Sequence, residues 1–541
     1  MRHGRRNWLA WGVLATGAAL RIGLAVVMPP GVAYDDHFTP IRALLKNGRL
    51  PRPDECWQCY QPPLFYVISG GVFTGVSRAA AACGLSEEGA TGAAKKAVQL
   101  ESAVFGCLTL LVCWAILRRV VPAGCPATSP HDPAPAGSGG GAPPGRARES
   151  ARIVQDHPPE GRPKQTLTHG GEALALALAA FLPQHIYMSA MVTNDALTYL
   201  VASLAVWAAL RAHTAGWPIG AALLTGALCG LAVLSKAYGM ATAAAVLGTV
   251  GLAAVTRIAR PAAGGAQGSV AGRGVGRPSH DAAPQTPGRY GRAVMLVAAG
   301  ALTVGIWPIA GNLRLYGKPH VDNFDFFKTG MQTQPPGSLD AVEWLTFRPV
   351  ALLQHPWVHT STVDSIWTEL YARLWFEYEG IISLKNSPQW SAFQTRVLRG
   401  AGGWTAAAWR ELLSYGAGDV PVGLGWWARA SYAAGLPLTA IVLAGFATAV
   451  AHRRRFGPVL LLLHFCGCLC VPLVQTLRLP HLASMKSAFA LSAISSAPVF
   501  GAMLLVALVG RRRTLVAAVG WAATAMVALA DVGYLVAQLR P

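Results

Sequence analysis

Long apolar runs separated by short arginine-bearing stretches dominate the chain. Trp8 to Val27 is interrupted only by Arg21, and Ala293 to Ala310, Ala488 to Val509 and Leu515 to Ala530 follow the same pattern. All but the last reach about 18 residues, enough for a helix to cross about 30 Å of hydrocarbon. The pattern predicts an all-α, polytopic membrane protein. Composition agrees: of 541 residues, 53% are hydrophobic and 13% charged, about half the charged share of a soluble protein. A soluble enzyme is excluded. The net charge of +20 does not indicate a nucleic-acid partner, because the basic clusters lack interleaved aromatics and follow apolar runs.

Those clusters, Arg5-Arg6, Arg118-Arg119, Arg257 to Arg292, Arg453-Arg454-Arg455 and Arg511-Arg512-Arg513, set the orientation, since Lys and Arg resist translocation and stay cytoplasmic. The first run follows a charged start and ends without a small-residue cleavage site, which reads as a retained anchor. With the amino terminus inside, residues 8–28 cross outward and 98–117 return. Residues 62–83, which open Pro62-Pro63 and contain Gly70, Gly71, Gly75 and Arg78, are assigned to an interfacial or re-entrant segment, because the parity of crossings allows only one full span there. Segments 171–190, 194–213, 217–235, 238–256, 293–311, 426–450, 457–474, 487–510 and 514–536 complete about eleven crossings.

The expected organisation follows. Residues 1–121 hold the first transmembrane helix, a catalytic outer loop and the second helix; 122–170 form a cytoplasmic insert; 171–257 are transmembrane; 258–292 are a second insert; and 293–541 are transmembrane with a large outer loop at 312–425. Both inserts are rich in Pro, Gly, Ala and Ser without apolar periodicity. Such a composition buries too little surface to offset ordering entropy, so disorder is expected in both.

This topology gathers ionisable residues on the outer face: Asp35, Asp36 and His37 after the first crossing, Asp195 and Lys236 at helix ends, then Arg314, Lys318, Arg478, His481 and Lys486. Polar groups at apolar helix ends are costly and tend to be functional. Interfacial anchoring explains any one of them equally well, but acids and bases together suit a reaction on an anionic lipid headgroup. Cations would hold a phosphate and a carboxylate would act as general base on an acceptor hydroxyl. The outer loop carries Trp344, Trp357, Trp367, Trp375, Trp390 and Trp404, whose faces suit sugar rings or an ordinary aromatic core.

Three further features carry a resemblance. Tyr34-Asp35-Asp36-His37, Ala43 to Pro51 and Gln61-Pro62-Pro63-Leu64-Phe65-Tyr66 resemble the first outer loop of the family 39 glycosyltransferases, which include the dolichyl-phosphate-mannose protein mannosyltransferases and the lipid A aminoarabinose transferase. Thr193-Asn194-Asp195-Ala196-Leu197, Gly230 to Lys236 and Gly311 to Pro319 continue it in order over roughly the first 320 residues. The resemblance implies a GT-C fold and inverting transfer of a sugar from an undecaprenyl or dolichyl phosphate to a glycan, lipid or protein acceptor. It makes one of Asp35 and Asp36 the base. His37, Gln61, Asp195, Lys236, Arg314, Arg478 and Lys486 are the expected substrate-binding residues, and the resemblance implies that Lys236 and Arg314 lie near the carrier phosphate. Gln61 stands where related branches carry Lys or His, so the branch is not specified.

There are ten cysteines. Cys56 and Cys59, in Cys-Trp-Gln-Cys, are a disulfide candidate if the compartment is oxidising, with free thiols or a zinc pair as alternatives. Cys466, Cys468 and Cys470 read as small packing residues in an apolar helix. A divalent cation beside Asp35 and Asp36 is left open. The alternative function is a transporter or lipid flippase without covalent chemistry. That reading calls for midplane ionisable groups and repeated halves, neither of which is evident. A surface-glycan polymerase or ligase of another fold is a third reading. The bacterial cytoplasmic membrane and the endoplasmic reticulum membrane fit equally.

Overall fold

In a computed structural model the described residues are 7–31, 35–121, 167–256, 287–327, 345–354, 365–376, 422–478 and 487–538. They form helices α1 (Trp8–Val27), α2 (Phe38–Asn47), α3 (Leu64–Ala82), α4 (Glu87–Val120), α5 (His169–Ala180), α6 (Pro183–Ala190), α7 (Asn194–Thr214), α8 (Ile219–Ser235), α9 (Gly239–Val255), α10 (Pro287–Gly305) and α11 (Trp307–Tyr316). Long helices over Val422–Ala451, Phe456–Arg478 and Gly510–Gln538 and a shorter one over Ser496–Ala507 follow. The all-α expectation holds among the described residues. Both expected inserts lie outside them, apart from a few residues at their ends.

Seven helices are long and apolar enough to cross a membrane, or nine if each of two bent pairs is one span. The expected eleven would further require the shorter apolar helices Ile219–Ser235, Gly239–Val255 and Ser496–Ala507 to cross, and α3 not to.

Contacts fix how the helices run. Lys96 of α4 donates to the carbonyls of Ala25 (2.9 Å), Val26 (3.2 Å) and Met28 (2.7 Å) at the end of α1, satisfying carbonyls that a helix terminus leaves open. Trp11 meets Trp114 edge-on with ring centroids 4.8 Å apart. The two helices are therefore antiparallel between Lys96 and Trp114, and the first turns of α4 project beyond α1. The hydroxyl of Ser69 donates to Glu101 (2.9 Å), and the short turn 83–86 returns α3 to the start of α4. Thus α3 lies along the Met28-end half of α4, although length and composition alone would let it cross.

The opposite end collects the arginines. Glu172 of α5 accepts from Asn7 (2.9 Å) and from Trp114 (2.6 Å), with Arg118 at 3.5 Å. Arg119 donates to Thr214 at the end of α7. His213 stacks on Phe456, just after Arg453 to Arg455, with centroids 4.1 Å apart. Gly23 of α1 packs on Leu535, so the helix that begins at Arg511 to Arg513 also starts at this end.

Two devices set the core. The expected single helix over 171–190 is broken: α5 and α6 meet at 53°, because Pro183 at the first position of α6 has no N–H to give and biases Leu182 to extended backbone. The buried Arg21 guanidinium fills that break, donating to the carbonyls of Ala180 (2.8 Å), Ala179 (3.2 Å) and Gly17 (2.7 Å) and to His185. Helices α8 and α10 touch backbone to backbone. A Cβ on Gly226 would lie 2.2 Å from the Val297 carbonyl oxygen, and one on Gly230 2.7 Å from that of Ala301. Small residues allow this approach, which substitutes dispersion contact for a hydrophobic drive that lipid does not supply.

The apolar segment 487–510 also differs from expectation. Residues Ser487–Phe489 and Leu491–Ala493 form 3-10 turns, and the α-helix begins only at Ser496. Ser487, Ser492, Ser495 and Ser496 are all buried in this segment, and Ser496 donates to the Leu461 carbonyl (3.4 Å). The tryptophans divide as well. Trp375 is core, its indole donating to Thr439 (3.1 Å), and Trp367 packs against the Ile366–Leu370 cluster, as do Leu469 and Leu473. These two serve packing; Trp344, Trp357, Trp390 and Trp404 lie outside the described residues. Of the three helix cysteines Cys468 is buried, whereas Cys466 and Cys470 are exposed, so only Cys468 packs inside: residues two apart on a helix point about 200° apart.

Candidate active site

The acid pair enters just before α2. Asp36 is exposed, and its Oδ1 accepts from the backbone N–H of Phe38 (3.0 Å) and Thr39 (3.1 Å) while Oδ2 accepts from the Thr39 hydroxyl (2.5 Å). A carboxylate there satisfies open N–H groups and meets the positive end of the helix dipole. Asp35 is half-buried, and its carbonyl accepts from His37 N–H (3.1 Å). His37 is 2% exposed, its ring Nδ1 3.0 Å from the Tyr66 hydroxyl. Desolvation lowers the His37 imidazole from 6.5 to about 4, against the opposing charge of Asp35 and with help from Lys236. It is packed inside, and its contact with Tyr66 holds the first loop against α3.

The loop 49–63 comes next. Cys56 and Cys59 are joined by a disulfide, which resolves that alternative and removes both thiolates as zinc ligands. The turn they close presents Gln58, whose carbonyl accepts from Tyr66 (3.3 Å) and whose side chain accepts from Gln61 Nε2 (3.3 Å). Gln61 Nε2 also donates to the Tyr60 hydroxyl (2.7 Å), and Gln61 Oε1 accepts from Asn194 Nδ2 (3.4 Å).

Asn194 opens α7 and also donates to the Ser235 carbonyl (3.2 Å) at the end of α8, so one side chain ties the first loop to two helices. Thr193 caps α7, accepting from Asp195 N–H (3.2 Å). Asp195 then accepts at Oδ2 from Lys236 Nζ (2.8 Å) and Thr193 (2.8 Å), and at Oδ1 from the Tyr238 hydroxyl. Asp195 and Lys236 are 4% and 5% exposed. A buried pair of this kind is tolerated only when further hydrogen bonds satisfy it, and here Thr193 and Tyr238 do so. The turn that presents Lys236 is held by Gly239 N–H donating to the Lys236 carbonyl (2.8 Å). A Cβ on Gly239 would lie 2.1 Å from the Ala232 carbonyl oxygen, so no other residue fits that turn unchanged.

Desolvation raises the Tyr60 phenol, and the charges of Asp35, Asp322 and Asp195 raise it further. Tyr60 thus reports three carboxylates converging from three segments. The buried Asp322 caps the turn after α11, accepting from Asp325 N–H (3.2 Å). Beside it Phe327 lies 5.9 Å from Trp57 and Tyr316 donates to Asp54 (3.2 Å), so the start of the second outer loop seats on the disulfide turn. Tyr199 donates to the Ala488 carbonyl (2.8 Å), and the adjacent Phe489 ring faces Tyr238 at 5.7 Å, closing the site from the 3-10 segment.

Of the expected site residues, Asp35, Asp36, His37, Gln61, Asp195 and Lys236 therefore come together at the Met28 end of the bundle. Arg314 is exposed on α11 and shares none of these hydrogen bonds. Lys318 pairs with Asp325 at 2.6 Å. The side chain of Arg478, and His481, Lys486 and Tyr34, lie outside the described residues. Tyr66 closes the first-loop motif, whereas Tyr60, Tyr238, Asp322 and Phe489 carried none, and only their position beside charge marks them. Among the described residues no three His, Cys, Asp or Glu side chains gather as a metal site.

No curated protein matches the chain by sequence. Among solved structures it is similar to the Archaeoglobus fulgidus oligosaccharyltransferase in its apo form, at 11% identity over 98% of this chain and 57% of that chain, with a TM-score of 0.46. It is similar to the same enzyme in complex with Zn and sulfate at 13% identity over 96% and 52%, TM-score 0.45. A third likeness is to archaeal AglB of that organism in complex with an inhibitory peptide and a dolichol-phosphate, at 12% over 97% and 56%, TM-score 0.42. The chain spans little more than half the length of these structures. Residues 164–263, the stretch that carries Asn194, Asp195 and Lys236, match the family model of the dolichyl-phosphate-mannose-protein mannosyltransferases, the family that the sequence motifs resemble.

Proposed function

We propose that the protein is a membrane glycosyltransferase of GT-C type that moves a sugar from a polyprenyl phosphate to an acceptor hydroxyl on the outer or lumenal face. The observation that carries this is the buried Asp195–Lys236 pair. It lies inside the family-matched stretch and at the same end of the bundle as the acid pair of the first loop.

Asp35 is the base. Asp36 is committed to the start of α2 by three accepted hydrogen bonds, whereas the charge of Asp35 reaches Tyr60 and acts on His37 more strongly than that of Asp36 does. In the step, the Asp35 carboxylate takes the proton of the acceptor hydroxyl as its oxygen attacks the anomeric carbon. The bond from that carbon to the phosphate oxygen breaks, and the polyprenyl phosphate leaves with the electron pair. One displacement inverts the anomeric configuration. Lys236 neutralises charge on the leaving phosphate through its ammonium hydrogens.

The test supplies membranes carrying the wild type with undecaprenyl- and dolichyl-phosphate sugars. The expected result is release of polyprenyl phosphate with an inverted glycoside as product. Donor carried intact across the bilayer, with no phosphate released, would establish the transporter or flippase reading instead.

A further inference from the structure

We infer that Tyr238 is a positioning residue that keeps the Lys236 ammonium available to an anionic ligand. The inference rests on the reading that Lys236 meets the carrier phosphate. Tyr238 touches both members of the ion pair. Its hydroxyl donates to Asp195 Oδ1, and its ring lies under the Lys236 ammonium, 5.2 Å from Nζ to the centroid. The Phe489 ring holds the same ammonium at 5.8 Å.

Chemistry gives this arrangement a consequence. A carboxylate has two oxygens and an ammonium three hydrogens, so a second ammonium hydrogen can turn to a carboxylate oxygen that has no other donor. Here Tyr238 occupies Oδ1, and Asp195 offers Lys236 only Oδ2, at 2.8 Å and shared with Thr193. One ammonium hydrogen is used and two are left for phosphate oxygens, while the ring faces stabilise the cation without competing for those hydrogens. Tyr238 has little freedom to shift, because Gly239 passes against the Ala232 carbonyl. Asp195 is thereby a counter-ion held in place and not itself a contact to the substrate. A phosphate entering the site finds a cation already desolvated and aimed.

The experiment measures binding of undecaprenyl phosphate and of dolichyl phosphate to the purified full chain. It compares wild type, Tyr238→Phe, Asp195→Asn, the double variant and Lys236→Met, with thermal melting to verify folding. Tyr238→Phe keeps the ring and removes only the hydroxyl. It is expected to weaken phosphate binding about tenfold, as for loss of a hydrogen bond to a charged group. In turnover kcat/KM should fall by about as much or more, while the pH profile of kcat stays as in the wild type, because the base is elsewhere. In the Asp195→Asn background Tyr238→Phe should add less than about twofold, since the two groups act as one unit. If Lys236→Met loses binding while Tyr238→Phe binds as wild type does, the inference is overturned and the site reading stands. Full additivity in the double variant also overturns it. If Lys236→Met binds both phosphates like wild type, the assignment of Lys236 to the phosphate falls, and this inference with it.

Discussion

Asp35 and Asp36 are adjacent, of the same type, and indistinguishable by motif, and Asp35 is proposed as the base because Asp36 caps α2. Replacing Asp36 by Ala should cost about 1 kcal/mol of stability, the usual loss for a helix cap, seen as a lower melting temperature with turnover largely kept. His37 gives a pH dependence. Its pKa falls from 6.5 to about 4 in the folded chain, through desolvation first and with Asp35, Asp36, Asp195 and Lys236 around it. The unfolded chain binds the proton more readily, so this stabilisation is complete above about pH 6.5 and is lost as pH falls toward 4. Melting temperature should decline across that window in the wild type, and His37→Gln should flatten the decline; equal slopes would refute this. The acid pair, Gln61, Asp195 and Lys236 were legible because they lie in ordered motifs. Tyr60, Tyr238 and Asp322 were not, because an isolated tyrosine or aspartate acquires meaning only from neighbours distant in sequence. Arg21 read as a flaw in an apolar run, and is instead the donor set for a broken helix.

The helices themselves were legible from apolar run length, but their interruptions were only partly so. Leu182-Pro183 signals the α5–α6 break, yet nothing in sequence says that Arg21 fills it. Arg21→Met should leave the Ala179, Ala180 and Gly17 carbonyls without this donor, at a cost of roughly 3 kcal/mol. The expected result is earlier thermal unfolding, with Arg21→Lys intermediate. The 3-10 turns at 487–493 escaped the reading because an apolar segment rich in serine has the same hydropathy whether or not it is an α-helix. Between α8 and α10 the constraint is steric. Gly226→Leu places a side chain where the Val297 backbone already lies, and the variant should fail to accumulate as folded protein, whereas Leu on the open Gly251 should be tolerated.

Across the whole molecule the charges are segregated. The turns at Arg118-Arg119 and Arg453 to Arg455 share one end with Glu172 and His213, while Lys96, Asp195, Lys236 and the disulfide loop sit at the other. That separation is what the positive-inside rule would place across a bilayer, and the proposed outer or lumenal position of the site rests on it. In a Cys83→Ser background, Lys46→Cys should react with a membrane-impermeant maleimide in intact cells or sealed lumen-out vesicles, and Arg454→Cys only after permeabilisation. The reverse pattern would invert the topology. The number of crossings is hard to read from sequence, because helices of 12 to 17 residues such as Ser496–Ala507 and Ile219–Ser235 fall at or below the usual spanning length.

The central claim is that Asp35 deprotonates the acceptor, and Asp35→Asn tests it with two readings on one preparation. Sugar transfer from the donor that the wild type consumes should fall by about a hundredfold or more, while undecaprenyl or dolichyl phosphate binds within about twofold of wild type, because Lys236 is untouched. Transfer by Asp35→Asn at the wild-type rate would contradict the account at its core.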